Sequence, residues 1–265
     1  MKATHIAIIG GGNLGTAIAK GLLSKGLIPA SNISVTRRRV ELISELAEKG
    51  VHTSSDNHLA ASRANIIILA VKPYQLEKVV KEIKPALTTD KILVSVATGI
   101  SAIHIQEYCD LKLPVFRAMP NTAIEIGESM TCVSSLNATK EQEETVVRLF
   151  NQMGVALLIP EELMSGATVL AACGIAFAMR FVRAATQGGI EIGFGSRLAL
   201  QITAQTVKGA VDLLIQKGQH PEDEIDKVTT PRGITISGLN EMEHQGFSSS
   251  LIKGLLTSFN KIENG

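Results

Sequence analysis

From residue 5 to about 159 the apolar positions fall in short, β-branched runs: HIAIIG, NISVT, ANIIILAV, KILVSVA, LPVFRAM, MTCVSS and VALLI, with helical patterns between them. Ile66 to Val71 is apolar at every position, as a strand covered on both faces requires. Strands alternating with helices predict an α/β domain with a doubly wound sheet. Thr139 and Gln142 predict a capping box for a helix over about 140–152, with Gly154 at its C-terminal cap.

Beyond Pro160 the strand signal nearly vanishes. The remainder reads as helices punctuated by QGG, FGS, KGQHP, PRG and HQG. The expected organisation is therefore a sheet domain over 1–160 and an all-helical domain over 161–265. AFAMRFV, LALQITAQTVKGAVDLLI and SLIKGLLTSF supply more apolar surface than ~105 residues easily bury alone, so an obligate dimer interface is expected to take it up. The run GATVLAACGIAFAM at 166–179 reads as a buried helix. It falls short of the ~20 residues that span a bilayer, and Arg180 and Arg183 follow it.

Composition excludes several classes. Hydrophobic residues at 45% and charged residues at 19% argue for a compact soluble chain without membrane association. A net charge of +1 predicts no nucleic-acid partner. MKATHIAIIGGG runs straight into a strand pattern, so no leader is expected and the cytoplasm is the expected location. Cys109, Cys132 and Cys173 form no CxxC, and the histidines stand singly at 5, 52, 58, 104, 220 and 244. Neither a metal site nor a nucleophile motif is predicted.

The chemistry begins at IAIIGGGNLGTAIAKGLL. Gly10, Gly12 and Gly15 stand in GxGxxG spacing after a strand and at the head of a helix, with Asn13 and Leu14 between them. The glycines serve a tight turn, close approach to a pyrophosphate and close helix-to-strand contact, which makes the sheet a Rossmann-type dinucleotide-binding domain. Where NAD sites offer an acid to the ribose, the second strand ends in VTRRR. Arg37, Arg38 and Arg39 precede a helix whose positive end disfavours each by about 0.3–1 kcal/mol, and a 2′-phosphate supplies the compensating reason. NADPH is thus the expected cofactor, with NADH possible. Open α/β sheets bind beyond the carboxyl ends of their strands, which adds Ala70, Val71, Lys72 and Pro73 from AVKPYQ, Ala97, Thr98 and Gly99 from SVATGIS, and Pro120 and Asn121 from RAMPNTA. Asn57 is placed with the same set.

In the helical half, PEDEID at 221–226 predicts a short helix with Pro221 at its first position. VTTPRGITISGL at 228–239 opens another helix. Pro231 and Gly233 shape a loop whose amides, with the helix N-terminus, form a concave anion site suited to a carboxylate. Thr229, Thr230 and Thr235 bring hydroxyls that both donate and accept.

Taken together these motifs resemble the pyrroline-5-carboxylate reductase family over essentially the whole length, from IAIIGGGNLGTAIAKGL through AVKPYQ, SVATGIS, RAMPNTA, ATQGGIEIGF and LALQITAQTVKGA to KVTTPRGITISGLNEMEHQGF. The last stretch is the most specific, resembling the family's T-x-P-G-G-x-T signature. The resemblance implies reduction of the cyclic imine 1-pyrroline-5-carboxylate to L-proline by NAD(P)H, the final step of proline biosynthesis, in a homodimer or higher oligomer paired through the helical halves. It implies that Thr229, Thr230, Gly233, Ile234 and Thr235 cradle the imino-acid carboxylate over the nicotinamide, with Thr235 as the catalytic contact to the ring nitrogen. It also places Glu161 and Lys227 near substrate. Arg232 departs from a small residue, Ile175 from a proline in S-G-P-A, and Ala123 from a proline after MPNT. Reduction of another small cyclic imine or a 2-oxo acid, or a non-catalytic NADP-binding role, therefore stays open. The 3-hydroxyacid dehydrogenases of this layout call for a lysine on a long helix, and 162–187 has none.

Overall fold

The computed structural model describes residues 4–26 and 28–264. Eight strands, β1 (Ile6–Ile9), β2 (Ile33–Thr36), β3 (His52–Ser54), β4 (Ile66–Leu69), β5 (Ile92–Ser95), β6 (Val115–Met119), β7 (Ser129–Leu136) and β8 (Gly154–Leu158), form one sheet in the order β3-β2-β1-β4-β5-β6-β7-β8. Pairing is parallel throughout except between β6 and β7. The order reverses between β1 and β4, which opens a crevice at their carboxyl ends. β3 is not among the apolar runs, because its His-Thr-Ser is a half-exposed edge segment without an apolar pattern.

The consecutive apolar runs are explained by two cores, one on each face. Ile6, Ile8, Ile66, Ile68 and Phe116 turn to one side, with Ile18 of helix α1 (Asn13–Ser24), Leu46 of α2 (Ser44–Glu48) and Phe150 of α6 (Lys140–Asn151). Ala7, Ile9, Ile67, Leu69 and Val115 turn to the other, with Ala60 of α3 (Asn57–Arg63), Leu76 of α4 (Pro73–Ile83) and Ile105 of α5 (Ala102–Cys109). Each large side chain so buried contributes roughly 1.5–3 kcal/mol.

The Thr139–Gln142 capping box is present. Gly154 has a different task from the cap expected of it: α6 is closed by Gln152 in right-handed conformation, and Gly154 opens β8 at φ 137°. A Cβ there would lie 2.0 Å from the Ser129 carbonyl oxygen, so the close pairing of β7 with β8 requires glycine.

The chain parts into two compact units, residues 1–173 with 261–265, and residues 174–260. Helix α7 (Met164–Ala167) and a π-helical segment at Thr168–Cys173 belong with the sheet, because Met164 packs on Met119 and Cys132. The second unit is helical: α8 (Gly174–Glu191), α9 (Ser196–Lys217), α10 (Pro221–Asp226), α11 (Ile234–His244) and α12 (Phe247–Glu263), the last running past its boundary. Gly189 lets α8 approach Ala199 of α9, and the rings of Phe181 and Phe247 meet edge-on at 6.2 Å.

Ala199 is the single buried hydrophobic residue between 174 and 260. The run at 166–179 is helical as expected but only partly buried: Thr168 and Val169 are covered, while Leu170 is 71% and Met179 62% exposed. Helical structure also continues well beyond that run. Glu161–Glu191 and Ser196–Lys217 are long and apolar enough to cross a membrane by length and composition, and 17% and 6% of their apolar windows are buried.

Candidate cofactor cleft and carboxylate loop

In the sheet unit a cleft of about 940 Å³ lies at the carboxyl ends of β1, β2, β4, β5 and β6. Its floor is the glycine turn. Gly10 sits at φ 110°, and a Cβ there would meet the Ala70 carbonyl oxygen at 2.5 Å. At Gly15 it would meet the Gly10 carbonyl oxygen at 2.1 Å, so this glycine lets α1 seat against the end of β1. Gly12 caps α1 without any side-chain hydrogen bond and faces open space. The first amides of α1 are thereby left for an anion.

The arginines divide their work. Arg37 Nη1 donates to the Gly11 carbonyl at 2.8 Å and pins the glycine turn. Arg38 and Arg39 are exposed, line the cleft, and make no side-chain hydrogen bond or ion pair among the described residues. Thr36 Oγ1 donates to Asn57 Oδ1 at 2.6 Å, and Asn57 Nδ2 donates to Glu82 Oε2 at 3.1 Å, which orients the Asn57 amide at the cleft.

Gly10, Gly12, Asn13, Leu14, Arg37, Arg38, Asn57, Ala70, Val71, Lys72, Pro73, Ala97, Thr98, Pro120 and Asn121 all line the cleft. Gly15 and Gly99 lie outside the lining; Gly15 acts through packing, and Gly99 makes a turn at φ 78°. Sequence reasoning missed Thr36, Ser55, Gln75 and Ala172 as lining residues, while Arg39 of the basic strand end does line the cleft. The strand-end rule had reach over Thr36 and Ser55. Nothing local points to Ala172, which arrives from the π-helical segment.

Glu161 and Lys227 are both engaged within their own units. Glu161 Oε1 accepts from Arg117 Nη1 at 2.9 Å and from the Ala102 amide at 3.1 Å, and Oε2 accepts from Ser134 Oγ. Burial pushes this carboxyl up, but the bonds from Ser134, Arg117 and the Ala102 amide, with the Arg117 charge, outweigh it and hold it below the usual carboxylate range. A carboxyl depressed in the folded state stabilises the fold above its unfolded pKa, and that stability is lost as pH falls through the lower folded value. In acid titrations followed by circular dichroism, Glu161→Gln is expected to reduce the fall in stability across that window; an unaltered profile would mean the pair adds nothing. Lys227 Nζ donates to Gln219 Oε1 and Glu224 Oε1, each at 2.6 Å.

In the helical unit, α10 starts at Pro221 with His220 accepting from the Glu222 amide. Between α10 and α11, Thr229 Oγ1 donates to the Asp226 carbonyl at 3.2 Å, and the Gly233 amide donates to the Thr230 carbonyl at 2.8 Å. Gly233 then caps α11 with no side-chain hydrogen bond, which leaves the first amides of that helix without a partner among the described residues. A Cβ on Gly233 would lie 2.6 Å from Thr230 Oγ1. Ile234 and Thr235 are exposed in the first turn.

Arg232 sits at φ 61°, in the left-handed region where the resemblance leads one to expect glycine. A residue with a Cβ pays about 1–2 kcal/mol there, part of which glycine returns through its greater unfolded-state freedom. Arg232→Gly is expected to raise stability by up to about 1 kcal/mol in urea unfolding. A lower midpoint would show that the arginine side chain outweighs its backbone strain.

The Cys109 and Cys132 thiols are buried, and burial pushes Cys109 up to about 12 and Cys132 also upward. Among the described residues no His, Cys, Asp and Glu group could hold a metal ion.

Residues 161–264 match the family model described as pyrroline-5-carboxylate reductase dimerisation, and residues 5–99 match one described as NADP oxidoreductase, coenzyme F420-dependent. Pyrroline-5-carboxylate reductase 2 of Dictyostelium discoideum is 43% identical, over 97% of this chain and 91% of that protein. Reductase 1 of the same organism is 45% identical over 97% of this chain, which spans 49% of that longer relative. The crystal structure of Plasmodium falciparum pyrroline carboxylate reductase with NADP bound superposes with a TM-score of 0.92 at 26% identity, covering 100% of this chain and 98% of that one.

Proposed function

We infer that this chain, which belongs to the pyrroline-5-carboxylate reductase family, reduces 1-pyrroline-5-carboxylate to L-proline with NADPH. The observation that carries the reading is the uncapped start of α11 behind Thr-Thr-Pro-Arg-Gly-Ile-Thr, an anion cradle in a chain that also builds a dinucleotide cleft. NADPH, when bound, supplies a hydride from C4 of its nicotinamide.

The chain's own residues bind and orient. Asn13 and Leu14 at the head of α1 take the pyrophosphate, and Arg38 and Arg39 take the 2′-phosphate. The amides of Ile234 and Thr235 hold the imino-acid carboxylate, with Thr229 and Thr230 shaping the cradle. The Thr235 hydroxyl accepts from the protonated ring nitrogen, which becomes the secondary amine of proline.

Replacing both Arg38 and Arg39 by serine is expected to raise the KM for NADPH by about 10- to 100-fold while leaving that for NADH nearly unchanged, since a charge-assisted contact is worth about 1.5–3 kcal/mol. Equal changes for both cofactors would remove the arginines from phosphate recognition. The reaction itself is tested by NADPH absorbance with pyrroline-5-carboxylate, a six-membered cyclic imine and a 2-oxo acid. Oxidation is expected with cyclic imines only. No consumption with any of them would leave the non-catalytic reading standing.

A second copy of the chain is the proposed cover for the apolar helices, given a unit with one buried hydrophobic residue and a match to a dimerisation model. The protein so assembled is a cytoplasmic homodimer or a larger homo-oligomer. Light scattering without detergent decides this: a monomeric mass, or a requirement for detergent, would sink it.

A further inference from the structure

The resemblance places Glu161 near substrate, but in the structure it pairs with Arg117 in the most buried ion pair among the described residues, with the Arg117 side chain 8% exposed. Arg117 Nε also lacks a hydrogen-bond partner among the described residues. Desolvating a guanidinium this far is costly, and an apolar pair of similar volume often serves stability as well or better. Retention of the charges asks for another reason.

The placement of the partners supplies one. Ala102 is the first residue of α5, and the loop just before it brings Val96, Ala97 and Thr98 to the cleft. Arg117 lies in β6 directly opposite Ser134 of β7, and β6 runs on into Pro120 and Asn121 at the cleft. Glu161 thus caps α5 with its carboxylate and grips β6 and β7 at once. One further link follows in the chain: Asn121 Nδ2 donates to the Ala171 carbonyl at 3.3 Å in the π-helical segment, and the next residue, Ala172, lines the cleft. Glu161 itself does not line it.

We propose that Glu161 is a positioning residue: held by Arg117, Ser134 and the amide end of α5, it fixes the loops at 96–102 and 119–121 that wall the nicotinamide end of the cleft. The catalytic part of this proposal rests on the reductase reading. Glu161 acts through those loops, so loosening it misplaces the reacting groups without touching the glycine turn or the arginines that hold the rest of the dinucleotide.

Glu161→Gln keeps the shape and removes the charge. In this variant kcat is expected to fall by about 10- to 100-fold, as misplacement of reacting groups does, while the NADPH Kd from fluorescence changes by less than about 3-fold. Amide exchange in the free protein is expected to quicken over 97–105. Glu161→Asp should recover part of the rate. Arg117→Met combined with Glu161→Leu should recover the thermal midpoint without recovering kcat. Glu162→Gln, at the exposed neighbouring carboxylate, should change none of these readouts.

Three results would overturn the proposal: parental kcat in Glu161→Gln, recovery of kcat by the apolar pair along with stability, or a raised imine KM at unchanged kcat, which would make Glu161 a direct substrate contact. Should the parent protein reduce no cyclic imine, the reductase reading fails on its own. Exchange then decides the positioning claim, and unaltered protection over 97–105 in Glu161→Gln would end it.

Discussion

Thr235→Ala is expected to lower kcat by about one to two orders of magnitude at unchanged NADPH affinity, the loss that follows from removing a contact of about 1.5–3 kcal/mol to a charged group. The structure isolates this effect from folding. Thr235 is exposed in the first turn of α11, and its hydroxyl has no hydrogen bond among the described residues, so alanine breaks no internal contact. Alanine is also the better helix former. Thr235→Ser retains the hydroxyl and should retain most of the rate. Turnover by absorbance, cofactor Kd by fluorescence and a thermal melt separate the outcomes: parental kcat in the alanine variant would take Thr235 out of the reaction.

Gly15→Ala is expected to weaken NADPH binding by at least about 100-fold, or about 2.7 kcal/mol, and to lower the melting temperature by several degrees. The added methyl would lie 2.1 Å from the Gly10 carbonyl oxygen and 3.2 Å from Ala70 Cβ, and the first of these is backbone that cannot rotate away. Helix α1 must therefore shift from the end of β1, carrying its free amides out of register with the cleft. Overpacking of this kind typically costs 1–3 kcal/mol or more. Gly12→Ala offers the contrast, because a Cβ there meets nothing within 4 Å. It should leave the melting temperature nearly unchanged while still weakening NADPH. Equal melting temperatures for the Gly15 and Gly12 variants would contradict the assigned roles.

Where the sequence was legible, the signals were local. Glycine spacing reports a turn, a run such as Ile66–Leu69 reports a strand covered on both faces, and Thr139 with Gln142 reports a helix start, because each feature is set by neighbours within a few residues. Gly154 shows the limit: its position after a helix suggested a cap, and only the pairing of β7 with β8 reveals the close approach it permits. The apolar helices show another. Their periodicity states that a face must be covered, but not by what.

The sequence by itself determined the doubly wound sheet, the dinucleotide turn, the basic strand end and the hydroxyl-rich loop before α11, since these depend on residue type at short spacing. Only the tertiary structure decided that Arg37 braces the glycine turn while Arg38 and Arg39 stay free, that Ala172 reaches the cleft, and that Glu161 joins Ala102, Arg117 and Ser134. The reason is that those contacts join residues up to 59 positions apart, and strand register and helix docking set their distances.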